Sequence, residues 1–202
     1  MKPRILIALM ASAFAAIPAS GAQLTIADVT ASSTFYTYNV NNLINGVGLI
    51  GSGQHSGDYQ GKWMTNNTVT GSLVFDLGAV DTLTSSKIWN YNGGCCDAAR
   101  SVKDLTVSTS VNGVTYSAPT AFMLSHTETS PFGGQSLGVT GVGRYVKFDL
   151  LSNYGAGYTG LSEVQFFGAV GGVPEPAAWA LMIVGFGLVG VASRRRSVAV
   201  AT

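Results

Sequence analysis

Along the middle of this chain the apolar side chains recur with a period of two, and that alternation limits the fold more than any composition value does. Ser72-Leu73-Val74-Phe75-Asp76-Leu77 places Leu73, Phe75 and Leu77 on one face. Tyr145 to Leu150 turns Val146, Phe148 and Leu150 inward and Lys147 and Asp149 outward. Both stretches predict half-buried strands. Lys87 to Asn92, Lys103 to Ser110 and Glu163 to Phe167 predict three more, with Trp63 and Trp89 as core residues at strand positions. Val111-Asn112-Gly113-Val114 predicts a two-residue hairpin, because Asn-Gly tolerates the positive φ angles of a type I′ turn. No stretch between 23 and 168 carries an amphipathic helix, so the expected fold is all-β, an antiparallel jelly-roll sandwich.

The two ends of the chain follow different rules. Lys2 and Arg4 precede an apolar stretch from Ile5 to Ile17, and Ser20-Gly21-Ala22 supplies the small residues a signal peptidase reads. This predicts a signal peptide over 1–22, cut after Ala22; a retained membrane helix is the alternative. At the other end an apolar run from Ala177 to Ser193 is followed by Arg194-Arg195-Arg196. At the helical rise that run covers about 25 Å, just enough to cross a bilayer when flanking groups snorkel. The arginines after the run, against Glu175 before it, leave the short tail cytoplasmic. The expected organisation is a signal peptide (1–22), one β-sandwich domain (23–168), a linker (169–176), a transmembrane helix (177–193) and a basic tail (194–202). The terminal segments inflate the hydrophobic fraction of 47%, which therefore says little about the domain.

Pro174, Glu175, Pro176, Trp179, Met182, Gly185, Phe186, Gly187, Gly190 and the triplet Arg194, Arg195, Arg196 stand in an order that resembles the PEP-CTERM sorting signal of Gram-negative bacteria. The resemblance implies an exported protein handled by signal peptidase and exosortase, held transiently in the inner membrane, and cut near Pro174-Glu175-Pro176. Its destination would then be the cell surface or the medium. An ordinary C-terminal anchor is the alternative.

From 23 to 173 the chain carries six Lys/Arg against nine Asp/Glu, a net charge of −3. A weakly acidic domain without a basic stripe is not built for nucleic acid. Gly46-Val47-Gly48-Leu49-Ile50-Gly51 fits a dinucleotide fingerprint, but no helix pattern follows it. Gly134-Gln135-Ser136-Leu137-Gly138 fits a nucleophile elbow, yet His55 and His126 both precede Ser136, against the hydrolase order. No paired-cysteine zinc spacing occurs. The sequence supplies no catalytic constellation.

A second resemblance rests on an ordered set of segments. These are Asn42-Leu43-Ile44-Asn45-Gly46, Lys62-Trp63, Leu73 to Gly78, Lys87 to Asn92, Val107 to Gly113, and Leu161-Ser162-Glu163-Val164-Gln165-Phe166-Phe167-Gly168. Together, over about residues 30–168, they look like a discoidin domain (coagulation factor 5/8 type C, galactose-binding-like). The resemblance implies an eight-stranded jelly roll that binds sugars, lipids or proteins through loops at one end. It also implies a possible structural calcium between the Asn45-Gly46 loop and Glu163. Asn45 stands where aspartate is usual, and a surface pair or turn cap at Glu163 is the alternative.

Cys95 and Cys96 are the only cysteines. Neighbouring Cα atoms lie ~3.8 Å apart, under the ordinary disulfide range, so an oxidised pair would close a vicinal ring. With Arg100, the pair resembles the sugar pocket of F-type lectins, which implies a ligand-binding role. Asn92 and Gly94 depart from that pattern, and a ring that only braces its loop is the alternative. Glycan sites combine aromatic platforms with planar hydrogen-bonding groups. Candidates in expected loops are Tyr36, Tyr59, Tyr154 and Tyr158, with His55, Asp58 and Arg100 as polar partners. The expectation is a non-enzymatic carbohydrate-binding module acting on extracellular polysaccharide at the surface or in the exopolysaccharide matrix. The alternative is a structural matrix or adhesion protein without a specific small ligand.

Overall fold

The computed structural model describes residues 21–92, 98–169 and 180–188. The alternating segments form strands as the period requires. In chain order these are β1 (Ala22–Gln23), β2 (Asp28–Ala31), β3 (Leu49–Ile50), β4 (Gln54–His55), β5 (Trp63–Met64) and β6 (Gly71–Asn90). They continue with β7 (Asp104–Ser110), β8 (Thr120–Met123), β9 (Phe132–Gly133), β10 (Gln135–Leu137), β11 (Gly141–Leu150) and β12 (Gly160–Ala169). One sheet runs β1-β12-β6-β11-β7-β8, with β2 and β10 added on β6 and β5 on β12; a small second sheet runs β3-β4-β9. Every ladder is antiparallel.

The strand β6 corrects the expectation of two separate strands over 72–77 and 87–92. It is continuous but turns a corner. Asp76 pairs with Tyr145 and Asp81 with Gly143, so residues 77–80 face Arg144 alone. Gly78 takes φ +79° there, a conformation side chains resist, and its N–H donates to Asp76 Oδ1 at 2.7 Å. Arg144 clamps the same carboxylate with Nε and Nη2, both at 2.8 Å. Before the corner β6 lies between β2 and β11; after it, β12 pairs on one side, while on the other β11 continues to Leu83 and β10 takes over at Ser86.

The inward faces meet in one core. Phe75, Phe148 and Phe166, from three strands, pack edge to face with ring centroids 5.1, 5.4 and 5.9 Å apart. Leu73, Ile88, Val146, Leu161 and Val164 surround them, all at 0% exposure. Burying each such side chain contributes about 1.5–3 kcal/mol. Trp63 and Trp89 are buried, and their indole N–H groups donate to Thr34 Oγ1 and the Gly53 carbonyl, each at 3.0 Å.

The Asn112-Gly113 hairpin is corrected. Strand β8 pairs with β7 from Thr120↔Val107 to Met123↔Asp104, which leaves a long connection rather than a two-residue turn. Only Gly113 has positive φ, and the loop hangs on side chains: Ser110 Oγ accepts from Gly113 N, and Asn112 Oδ1 from Val114 N and Thr115 N. Two local Asx- and Ser-type turns outcompete the tight reversal.

The corner of β6 and the domain's ends share one pole, where Ala22 pairs with Gly168 and Ala169 with Thr82. The connecting loops gather at the other pole. Gly160 packs on Tyr91 there, Thr65 N donates to the Thr159 carbonyl, and Tyr154 N donates to that of Ala99. Residues 180–188 are helical with exposed apolar side chains. Among the described residues no helix is long and apolar enough to cross a membrane. The rest of the expected span, the signal peptide up to residue 20, and Pro174, Glu175, Pro176, Trp179, Arg194, Arg195 and Arg196 lie outside the described residues.

Candidate functional site

The loop pole carries an aromatic platform. The Phe35 ring lies 4.8 Å from Tyr36, 6.1 Å from Tyr38 and 5.1 Å from Tyr158, all near edge-on, and Tyr38 lies 6.4 Å from Tyr59. Tyr36 is 86% exposed and Tyr59 59%. Arg100 sits over the Tyr158 ring at 5.8 Å. The Tyr38 and Tyr91 hydroxyls hydrogen-bond at 3.2 Å. Burial first, then Tyr38, push the Tyr91 phenol well above its ordinary range, while a hydrogen bond from Arg100 pulls the other way. Arg100, Tyr158 and Tyr59 are thus linked into one cluster through Phe35, Tyr38 and Tyr91. The sequence signal for the added aromatics is Phe35-Tyr36-Thr37-Tyr38, a dense run in a stretch with no strand period.

Other expected contacts sit elsewhere. His55 is corrected from loop contact to core residue: it is fully buried, and its Nδ1 lies 2.9 Å from the Ser56 carbonyl. Glycines make this possible, because a Cβ on Gly48 would fall 2.4 Å from the imidazole and one on Gly61 3.3 Å. Burial lowers the His55 pKa below 6.5, helped by the charge of nearby Lys62, so the ring is neutral and Nδ1 donates. Among the described residues its Nε2 finds no hydrogen-bond partner. Asp58 is exposed and accepts from Ser56 Oγ at 3.4 Å. Tyr154 stacks on His126 with centroids 4.0 Å apart, and its hydroxyl donates to the Leu124 carbonyl. Cys95 and Cys96 lie outside the described residues.

A cleft of about 320 Å³ opens on the other side of Tyr91. Its walls include Gln54, Asn90, Ser125, His126, Thr127 and Gln135. The sequence reading missed His126, which has no patterned neighbours to single it out. Beneath the pole Lys62 is buried, donates to the Gly57 carbonyl at 2.7 Å, and lies 5.0 Å from the Tyr91 ring.

The Asn45 loop and Glu163 do meet. Gly46 N–H donates to Glu163 Oε2 at 3.2 Å, and Asn45 Oδ1 accepts from Val47 N at 2.9 Å. Glu163 is 2% exposed, and burial raises its pKa to about 7, with the Gly46 N–H holding it down only in part. A buried carboxylate raised this way is what a divalent cation would relieve. Among the described residues no cluster of three or more His, Cys, Asp or Glu exists to hold a metal. A cation here would therefore draw on Glu163 plus amide and backbone carbonyl oxygens, a donor set calcium accepts.

The F5/8 type C domain matches residues 28–164 of this chain. The chain belongs to the F5/8 type C domain family. Behind this domain, the PEP-CTERM protein-sorting motif matches residues 172–196. No curated protein matches the chain. Among solved structures, the F5/8 type C domain is similar to CBM32-3 from a family 31 glycoside hydrolase of Clostridium perfringens, at 15% identity and TM-score 0.56, over 72% of this chain and 94% of that one. It is similar to a fucose binding module of Streptococcus pneumoniae, at 20% identity and TM-score 0.52, over 73% and 95%. It is also similar to the CBM32 of AlyQ in complex with 4,5-unsaturated mannuronic acid, at 18% identity and TM-score 0.50, over 72% and 98%. At these identities the F5/8 type C domain shares their fold.

Proposed function

We propose that this is an exported, non-catalytic glycan-binding protein, sorted through its PEP-CTERM motif toward the cell surface or the exopolysaccharide matrix. The observation that carries the reading is the exposed aromatic platform with Arg100 over Tyr158 at the loop pole. Pyranose rings offer apolar faces to such rings and a rim of hydroxyls to a guanidinium. Structural neighbours of the same fold are described as a fucose binding module and as a module holding an unsaturated mannuronic acid, which supports a sugar over other ligands. The match to the sorting motif supports handling by exosortase after signal peptidase, with passage through the inner membrane.

A glycan array probed with the full-length protein in detergent tests the reading. Binding to at least one polysaccharide class, lost in a Tyr59→Ala/Tyr158→Ala double variant that still melts cooperatively, is the expected outcome. Absence of binding across the array rejects it in favour of a structural matrix role.

A further inference from the structure

We propose that the aromatic platform and the cleft are two subsites of one track, and that the ligand is an internal segment of an uncharged polysaccharide rather than a chain end. This rests on the glycan-binding reading above. Tyr91 belongs to both sides: it is one of the residues lining the cleft, and its hydroxyl bonds to Tyr38 on the platform. A ligand seated at only one of them would leave the other half of the pole unused.

The walls of the cleft are held in place before any ligand arrives. Gln135 grips the backbone of Ser125 twice: its Oε1 accepts from Ser125 N and its Nε2 donates to the Ser125 carbonyl, each at 2.7 Å. Asn90 Nδ2 donates to the carbonyls of Val102 at 2.7 Å and Ser125 at 2.9 Å. The exposed imidazole of His126 is propped by its stack on Tyr154. Groups fixed in this way lose little freedom on binding, which is how a polar cleft holds a hydroxylated ligand.

The chemistry of the lining selects the class. Among the described residues, amides, hydroxyls and an imidazole line the cleft, and none of those lining it is a carboxylate, an ammonium or a guanidinium. A uronic-acid chain would find the Arg100 guanidinium only at the platform end, and in the cleft, where no described lining residue is a cation, desolvating one carboxylate per sugar without a partner opposes binding. Hydroxyl-rich neutral sugars match the lining directly.

Calorimetry on the full-length protein in detergent tests this with a β-glucan series from two to six sugars, a matching mannan series, and alginate oligomers as the charged comparison. In the neutral series that binds, affinity should rise tenfold or more from dimer to hexamer, and His126→Ala should remove that gain. A dimer that binds as tightly as the hexamer overturns the proposal while the glycan-binding reading stands. So does a length gain that survives in His126→Ala, or alginate bound more tightly than either neutral series. No binding to any member overturns both.

Discussion

Gly46 and Glu163, 117 positions apart in the chain, meet through a hydrogen bond from the Gly46 amide to Glu163 Oε2 at 3.2 Å. The contact ties the first long loop to the last strand, at the cost of keeping a carboxylate out of water. Below the ordinary carboxylate pKa of 4.5, both folded and unfolded forms hold the proton and the cost vanishes. As pH rises from 4.5 through about 7 the folded form binds more protons than the unfolded one, so stability falls and the loss is complete above that window. A difference of that size corresponds to roughly 3 kcal/mol. In chelator at pH 8, Glu163→Gln should therefore melt higher than the wild type, and the gap should close at pH 4. Millimolar calcium should raise the melting temperature of the wild type and leave the variant unmoved. A wild type indifferent to calcium removes the cation from this site.

His55 gives the opposite slope. Its folded pKa lies below 6.5, so the unfolded chain binds the proton first, and stability falls as pH drops from 6.5 toward the folded value. NMR titration should place the midpoint of this ring below 6.5, with the proton on Nδ1 at neutral pH. A midpoint at or above 6.5 contradicts the burial seen here.

Much of the sandwich was legible because half-buried strands must alternate. Leu73, Phe75 and Leu77, and Val146, Phe148 and Leu150, point inward as their spacing demands. The corner in β6 was not legible, since Gly78 and the Arg144–Asp76 clamp act across strands distant in sequence. The meeting of Asn45-Gly46 with Glu163 was legible only through the family pattern. His55 was misread because a polar residue in a Gly-rich stretch suggests a loop, whereas the glycines at 48 and 61 are what let the backbone close over the ring. Lys62 could not be foreseen as buried, because its carbonyl acceptor and aromatic neighbours come together only in the fold.

Gly160 sits where the last strand leaves the loop pole. An added Cβ would lie 2.4 Å from Tyr91 Cδ2 and 2.8 Å from the Trp63 carbonyl oxygen. Gly160→Ala should destabilise the domain by about 1–3 kcal/mol and displace Tyr91, weakening glycan binding as well. Gly157→Ala, with nothing within 4 Å of its added carbon, serves as the comparison and should change neither. Chemical denaturation and calorimetry on both variants decide the matter, and equal behaviour of the two would show that Tyr91 is not held by this contact.

The final prediction concerns processing and follows from where the strands stop. Strand β12 ends at Ala169, paired with Thr82, so a cut near Pro174-Glu175-Pro176 leaves every described strand pair in place. Among the described pairs, a cut after Ala22 severs Ala22↔Gly168 but keeps Gln23↔Phe167 and the bond from Leu24 N to the Phe166 carbonyl at 2.8 Å. The mature protein should therefore run from about Gln23 to about Val173 and melt at the temperature of the full chain's domain. Deleting residues 174–202 should leave that stability unchanged while sending a soluble form to the periplasm. Intact mass of protein recovered from the surface of an exosortase-bearing host checks it. A mature form that retains Arg194 would make the C-terminal segment a simple anchor.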